Sequence, residues 1–243
     1  MSRFLLINLN NTSTKLALAD AAALLKRKVV PTKNLSVSAV RQAVKGWPFE
    51  GVVLASVVPK KTRIFQTLFR NRLLEITPEL NLGVGIDFPE PGSIGADRLC
   101  NAVGVVSRYG SPAIVVDFGT AVTFDIISNR AYIGGVIAPG LGVMTDYLYQ
   151  RTALLPKINL EEPPDVIGKS TRGAMLAGAV YGYRGLVRQI VTEIVARLEG
   201  KARIVATGSY ASLIAAKLPE LQIVDPDLTL EGLRVICLNN LPK

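Results

Sequence analysis

Two stretches of this chain, about half a chain apart, share one shape, and that repeat constrains the fold more than any other feature. Phe4-Leu5-Leu6-Ile7-Asn8-Leu9 is an apolar run that ends in Asn10-Asn11-Thr12, and Thr14-Lys15-Leu16-Ala17-Leu18 then resumes an alternating pattern. Ala113-Ile114-Val115-Val116-Asp117-Phe118 ends in Gly119-Thr120-Ala121, and Val122-Thr123-Phe124-Asp125-Ile126-Ile127 follows. Each reads as a strand, a tight polar turn and a second strand. In this register Asn8 matches Asp117, Asn10 matches Gly119 and Asn11 matches Thr120. A unit repeated once predicts two similar domains. Tyr109-Gly110-Ser111-Pro112 is a turn signal that sets their boundary, giving domains at 1–110 and 111–243.

Between these landmarks strands alternate with helices, which predicts an α/β fold with mixed sheets. Gly51 to Val58 reads as a buried strand stopped by Pro59, followed by a helix carrying Ile64, Leu68 and Leu73. Gly95 to Arg108 reads as a helix, Ala131 to Ala138 as a strand, and Thr171 to Leu198 as a long helix. Arg203 to Ala206 is a short strand running into Thr207-Gly208-Ser209, and Leu228 to Leu241 suggests a closing helix.

Composition narrows the chemistry. The chain has no histidine, which excludes Ser-His-Asp and Cys-His nucleophilic catalysis and leaves acid–base work to carboxylates, Lys, Tyr or Cys. Its two cysteines, Cys100 and Cys237, form neither a disulfide framework nor a zinc motif, in keeping with a reducing cytoplasm. Hydrophobic residues make up 49% of 243, ample for two cores, yet no apolar stretch approaches the length of a membrane span. The first residues lack the apolar length of a signal peptide, so a cytoplasmic protein with no membrane partner is expected. A formal charge of +9 favours anionic partners, but the basic residues are scattered. Lys60-Lys61-Thr62-Arg63 and Lys26-Arg27-Lys28 read as solvated surface, and no nucleic-acid partner is expected.

The turns suggest phosphate. Gly119 lets backbone approach an anion, the N–H groups and the Thr120 hydroxyl can donate to phosphate oxygens, and Asp117 can hold Mg²⁺ directly or through water. Two such turns could grip one triphosphate; read singly, either is an ordinary hairpin turn. Gly134-Gly135 and Pro139-Gly140-Leu141-Gly142 are further glycine-rich turns, best read as closing a strand onto a helix. Thr207-Gly208 at a strand end is a natural place for a nucleotide base or ribose. Gly168-Lys169-Ser170 imitates the end of a P-loop, but Pro163 stands where that motif needs Gly. Gly95-Ala96-Asp97-Arg98 opens a helix. Asp97 suits a first-turn position, and it could also take a proton from a hydroxyl while Arg98 clamps a carboxylate.

Together these segments, with Thr152-Ala153-Leu154-Leu155-Pro156, Gly168-Lys169-Ser170-Thr171 and Asp225-Pro226-Asp227-Leu228-Thr229-Leu230-Glu231-Gly232-Leu233, resemble the type III pantothenate kinases over nearly the whole chain. The resemblance implies a duplicated actin-like (ribonuclease H-like) fold of two domains with a cleft between them. It also implies ATP-dependent phosphorylation of pantothenate to 4'-phosphopantothenate, the first step of coenzyme A synthesis. It implies that Asp97 is the general base and that Arg98, Gly95, Phe88 and Thr171 lie at the pantothenate site. ATP would be held by Asn8, Asn11, Thr12, Lys15, Gly119, Thr120, Thr207 and Gly208, and metal by Asp117. Mg²⁺, a monovalent cation (K⁺ or NH₄⁺) and a homodimer complete what the resemblance implies.

The first turn departs from the family's Asp-x-Gly-Asn-Thr-x-x-Lys: Asn8 replaces the Asp and Asn10 the Gly, while Asn11, Thr12 and Lys15 match. Phe88 stands where the family usually has Tyr. Three readings follow: an active pantothenate kinase, a non-catalytic relative that binds a nucleotide or a pantothenate-like acid and regulates, and another small-molecule kinase on the same scaffold.

Overall fold

The computed structural model describes residues 2–241, which form two compact units. The first unit is built on a five-stranded sheet. Its strands are β1 (Phe4–Leu9), β2 (Ser13–Ala19), β3 (Leu24–Pro31), β4 (Gly51–Ser56) and β5 (Leu73–Glu75), in the order β3-β2-β1-β4-β5. β1 runs antiparallel to β2, and β2 to β3, whereas β4 and β5 run parallel to β1. Alternation along β1 divides its side chains between two faces. Leu5, Ile7 and Leu9 join Leu16, Val52 and Leu54 in a core closed by α1 (Val37–Ala43) and α2 (Pro59–Phe69) through Val40, Phe65 and Phe69. Pro59 starts α2, as its missing N–H permits, and the chain leaves that helix before Leu73, which is a strand residue rather than the helical one expected.

α3 (Ala96–Tyr109) and α7 (Leu228–Asn239) belong to this unit, with α3 on β4 and α7 on β1 and β4. Residues Leu99 to Val106 are all buried, because α3 lies between the sheet and α7 rather than showing one face to water. The two helices approach as closely as glycine allows. A Cβ on Gly104 would strike the Leu228 carbonyl, and one on Gly232 the Cys100 carbonyl. Thr229 Oγ1 donates to Asn101 Oδ1 at 2.8 Å, and Glu231 takes Arg108 at 3.0 Å and Arg234 at 2.8 Å. This docking changes the expected domain limits. The first unit takes residues 130–133 and the chain from Asp227 onward, instead of ending at 110. β6 (Gly85–Ile86) pairs in parallel with Ala131 and Tyr132 in the same unit.

The second unit repeats the plan. β7 (Ala113–Phe118), β8 (Ala121–Ser128), β9 (Ala131–Pro139), β10 (Arg203–Gly208) and β11 (Ile223–Val224) lie in the order β11-β10-β7-β8-β9. β7 and β8 are antiparallel, while β10 and β11 follow β7 in parallel. Position for position this is the strand order of the first sheet, the duplicated actin-like arrangement. Gly134 and Gly135 lie inside β9 rather than in a turn. α4 (Leu141–Arg151), α5 (Thr171–Arg197) and α6 (Ala211–Ala215) complete the unit. Ile114, Val116, Phe118, Val122 and Phe124 pack on Leu176, Val180, Tyr183 and Val187 of α5. Ser170 caps α5 by accepting from the Gly173 N–H at 3.0 Å, and a Cβ on Gly168 would collide with the Ala174 N–H. Gly168-Lys169-Ser170 is therefore a helix cap, which accounts for its likeness to a P-loop without a P-loop's role.

Buried Arg184 on α5 grips the irregular segment before that helix. Its guanidinium donates to both Glu162 carboxylate oxygens at 3.1 and 2.6 Å and to the Leu213 and Ile214 carbonyls. These contacts, with Lys217 at 2.9 Å, hold the Glu162 carboxyl at about 2. A lowered pKa means that this stabilisation is complete above the ordinary carboxylate range and disappears as pH falls towards about 2. Glu162→Gln should cost about 1–2 kcal/mol at pH 7, since the carboxylate is partly solvated, and the cost should vanish near pH 2. Thermal melts of both proteins across that range test it.

Candidate active site

In each unit the site residues gather at the carboxyl ends of the parallel strands, where open α/β sheets bind ligands. In the first unit Asn8 is the penultimate residue of β1, flanked by Lys15 on β2 and Ala55 on β4. It points to the face opposite Ile7 and Leu9 and is 1% exposed. Its Oδ1 has no hydrogen-bond partner among the described residues, nor has Asn10 Oδ1. Asn11 and Thr12 form the exposed tip. Neither Asn10 nor Gly119 has a positive φ, so asparagine in place of glycine introduces no backbone strain here. The turns differ in length: Asn8 faces Lys15 whereas Asp117 faces Thr123, so the first is one residue longer and Asn11 has no strict counterpart in Thr120.

Beside this turn lies the start of α3. The Val57 N–H donates to the Leu9 carbonyl at 3.1 Å, which extends β4 past the end of β1. A Cβ on Gly95 would stand 3.4 Å from a Val57 methyl and 2.7 Å from Asp97 Oδ1. Gly95 thus lets the helix start sit against the strand ends while leaving room for the Asp97 carboxylate, which accepts from the Arg98 N–H at 2.9 Å. Arg98 extends over the ring of Tyr132, its guanidinium carbon 5.6 Å from the centroid, and the Phe88 ring meets Tyr132 edge-on at 5.9 Å. Tyr132 is the residue sequence reasoning missed. It joins Phe88 to Arg98, yet a single aromatic at the start of a strand gives no local signal. Cys100, one turn beyond Asp97, is fully buried, and burial with the Asp97 charge pushes its thiol well above the ordinary range, so it stays protonated and inert.

In the second unit Asp117 is the penultimate residue of β7, between Thr123 on β8 and Thr207 on β10. Thr207 is fully buried and its Oγ1 has no hydrogen-bond partner among the described residues. Gly208, at φ +92°, presses on this corner: a Cβ there would meet Asp117 Oδ1 and stand 2.6 Å from the Phe118 nitrogen. Gly140 closes the other side. Its N–H donates to the Thr120 carbonyl at 3.1 Å, and a Cβ would collide with that carbonyl. Pro139-Gly140 therefore does more than close β9 onto α4, for it also seats the Gly119-Thr120 turn. Tyr183 supports the arrangement, donating to the Pro139 carbonyl at 3.0 Å with its ring 6.3 Å from Phe118. Thr171 lies exposed at the first turn of α5, twelve residues and about 18 Å along the helix from Tyr183.

The family model for type III pantothenate kinases matches residues 4–193. The chain belongs to that family. A "Type III pantothenate kinase" of Akkermansia muciniphila is 48% identical over 234 residues, covering 96% of this chain and 97% of the relative. Another, of Methylacidiphilum infernorum, is 42% identical over 96% of this chain and 87% of its own length. Among solved structures, a candidate Baf family transcriptional activator from Campylobacter jejuni superposes with a TM-score of 0.64 at 18% identity, covering 97% of this chain and 98% of its own, a likeness of fold. The match to the family therefore spans both strand–turn–strand repeats and the Gly95 to Arg98 helix start.

Proposed function

We propose that the protein transfers the γ-phosphoryl group of ATP to the primary hydroxyl of pantothenate, giving 4'-phosphopantothenate and ADP, the first step of coenzyme A synthesis. Relatives at 48% and 42% identity carry the name of that kinase over nearly their whole length. The observation that carries the reading is the placing of Asp97 and Arg98, through Gly95 and Val57, beside the Asn8 to Lys15 turn at the end of β1. An acceptor hydroxyl held by Asp97 there lies at the edge of a phosphate site.

In the transfer the Asp97 carboxylate takes the hydroxyl proton as the substrate oxygen bonds to the γ-phosphorus, and the bond from that phosphorus to the bridging oxygen breaks to release ADP. Arg98, braced on Tyr132, holds the pantothenate carboxylate, with Phe88 lining the same place. In the first unit we assign Asn8, Asn11, Thr12 and Lys15 to nucleotide phosphates. In the second we assign Gly119, Thr120, Thr207 and Gly208 to the nucleotide. No group of three or more acidic or thiol side chains gathers among the described residues. The donors nevertheless fit Mg²⁺, which favours one or two carboxylates, substrate phosphates and water. Asp117 supplies the carboxylate, and the unpartnered Thr207 hydroxyl suits a bound water. The ion would offset charge on the phosphate oxygens. We extend the proposal to dependence on K⁺ or NH₄⁺, to a cytoplasmic location, and to a homodimer. The dimer is supported by the exposed Val143, Met144, Tyr147 and Leu148 of α4.

A coupled assay of ADP release with ATP, Mg²⁺ and K⁺ or NH₄⁺ tests the reading. Release that requires pantothenate supports it. Binding of pantothenate or nucleotide without release would favour the non-catalytic regulatory relative, for which the neutral Asn8 and Asn10 argue. Arg98→Ala should raise KM for pantothenate about 10- to 100-fold with a smaller change in kcat, as expected for a lost charged hydrogen bond. An unchanged KM would remove Arg98 from the carboxylate site.

A further inference from the structure

Tyr132 is the buried residue on which the acceptor site rests. It is 1% exposed, the Arg98 guanidinium carbon lies 5.6 Å from its ring centroid, and the half-buried Phe88 ring meets it edge-on at 5.9 Å. All three residues belong to the first unit. The tyrosine backbone is pinned as well. Tyr132 pairs with Ile86 in the parallel ladder of β6 and β9, the Gly85 N–H donates to the Arg130 carbonyl at 2.9 Å, and the Asp87 N–H donates to the Tyr132 carbonyl at 2.8 Å. A Cβ on Gly85 would stand 3.1 Å from the Ala131 Cβ, so glycine lets the two strands lie close there. The ring is therefore a fixed plate beside a long, otherwise pliable side chain. An arginine loses rotamer freedom when a ligand holds it, and a surface that holds it beforehand has already met part of that cost. An aromatic face attracts a cation without carrying a charge of its own, and more strongly when water is excluded. This contact orients Arg98 without itself neutralising it, as a carboxylate in the ring's place would.

We propose that Tyr132 is a positioning residue for the acceptor: its π face holds Arg98 in the direction that receives the pantothenate carboxylate. Affinity for the acceptor, and not the rate of phosphoryl transfer, then depends on the electron density of that ring. The proposal rests on the kinase reading and deepens it. Phe88, besides lining the acceptor site, keeps the Tyr132 ring in place through its edge.

Steady-state kinetics of the full chain, with saturating ATP and varied pantothenate, test this. Tyr132→Met fills much of the same space but removes the π face. It should raise KM for pantothenate about five- to thirtyfold, with kcat within about threefold and the dissociation constant for ATP unchanged. Tyr132→Phe keeps the face and should stay within about threefold of the unaltered KM. In an Arg98→Ala background Tyr132→Met should add less than about twofold, because the tyrosine acts only through Arg98. If Tyr132→Met does not fold, pentafluorophenylalanine at position 132 replaces it. That ring has nearly the shape of phenylalanine with its charge distribution reversed, and it should raise KM at least about fivefold over Tyr132→Phe. An unaltered KM in a folded variant without the π face overturns the inference and leaves the kinase reading standing. So does a loss shared by Tyr132→Phe, a loss confined to kcat, or a full loss in the Arg98→Ala background. Absence of pantothenate-dependent ADP release from the unaltered protein sinks the kinase reading itself, and the inference with it.

Discussion

Asp97→Asn should lower kcat about 10³-fold while leaving the dissociation constant for ATP within about threefold, the loss expected when a positioned general base is replaced by its neutral isostere. The geometry makes this a clean test. Asp97 sits in the first turn of α3, where its Oδ1 accepts from the Arg98 N–H, and an asparagine oxygen can keep that bond. Gly95 leaves room for either side chain. The substitution therefore removes the charge and the proton acceptor without disturbing the helix start or Arg98 on Tyr132. Single-turnover measurements with saturating ATP and pantothenate separate the chemical step from product release. Unchanged turnover would transfer the proton to water and reduce Asp97 to a residue that orders its helix.

Gly208→Ala should have the largest effect in the second unit: a stability loss of about 2–4 kcal/mol and at least a tenfold weaker nucleotide affinity at temperatures where the variant remains folded. Two causes add. The backbone at Gly208 is left-handed at φ +92°, where an L side chain is strained. The new methyl would also press on the Phe118 nitrogen at 2.6 Å and on the Asp117 carboxylate. Phe118 is held in the core and cannot retreat, so β10 must move away from β7. That separation reaches Thr207 and Asp117, which face each other across the same pair of strands. Thermal melts and ATP titrations read the two consequences independently, and a variant normal in both would show that the corner is more pliable than its packing indicates.

Much of this arrangement was legible in the chain. The repeated strand–turn–strand placed β1, β2, β7 and β8 and located both turns, because period-two alternation and small polar turn residues are local signals. The long run from Thr171 was also legible as a helix, but its Ser170 cap was not, since Gly168-Lys169-Ser170 imitates the end of a P-loop and only its contacts show a cap. Other features left no local trace. Leu73 continues the apolar spacing of α2 yet pairs with Val52, since the chain must turn back to supply the sheet with β5. The glycines of β9 look like turn signals and are strand residues. The first turn's extra residue emerges only from the pairing of Asn8 with Lys15.

The sequence by itself determined the α/β class, the duplication, the absence of histidine chemistry and the residue types able to do phosphoryl transfer. Each of these depends on composition or on neighbours a few positions apart. Tertiary structure decided what depends on distant segments meeting. The chain's last helix completes the first unit because Gly104 and Gly232 let α7 lie against α3. Tyr132 comes to support Arg98 because β9 begins beside β6. The sequence marks Asn8 as a departure from the family's Asp, but its burial and the unpartnered state of its oxygen among the described residues are properties of the packed chain and not of the residue.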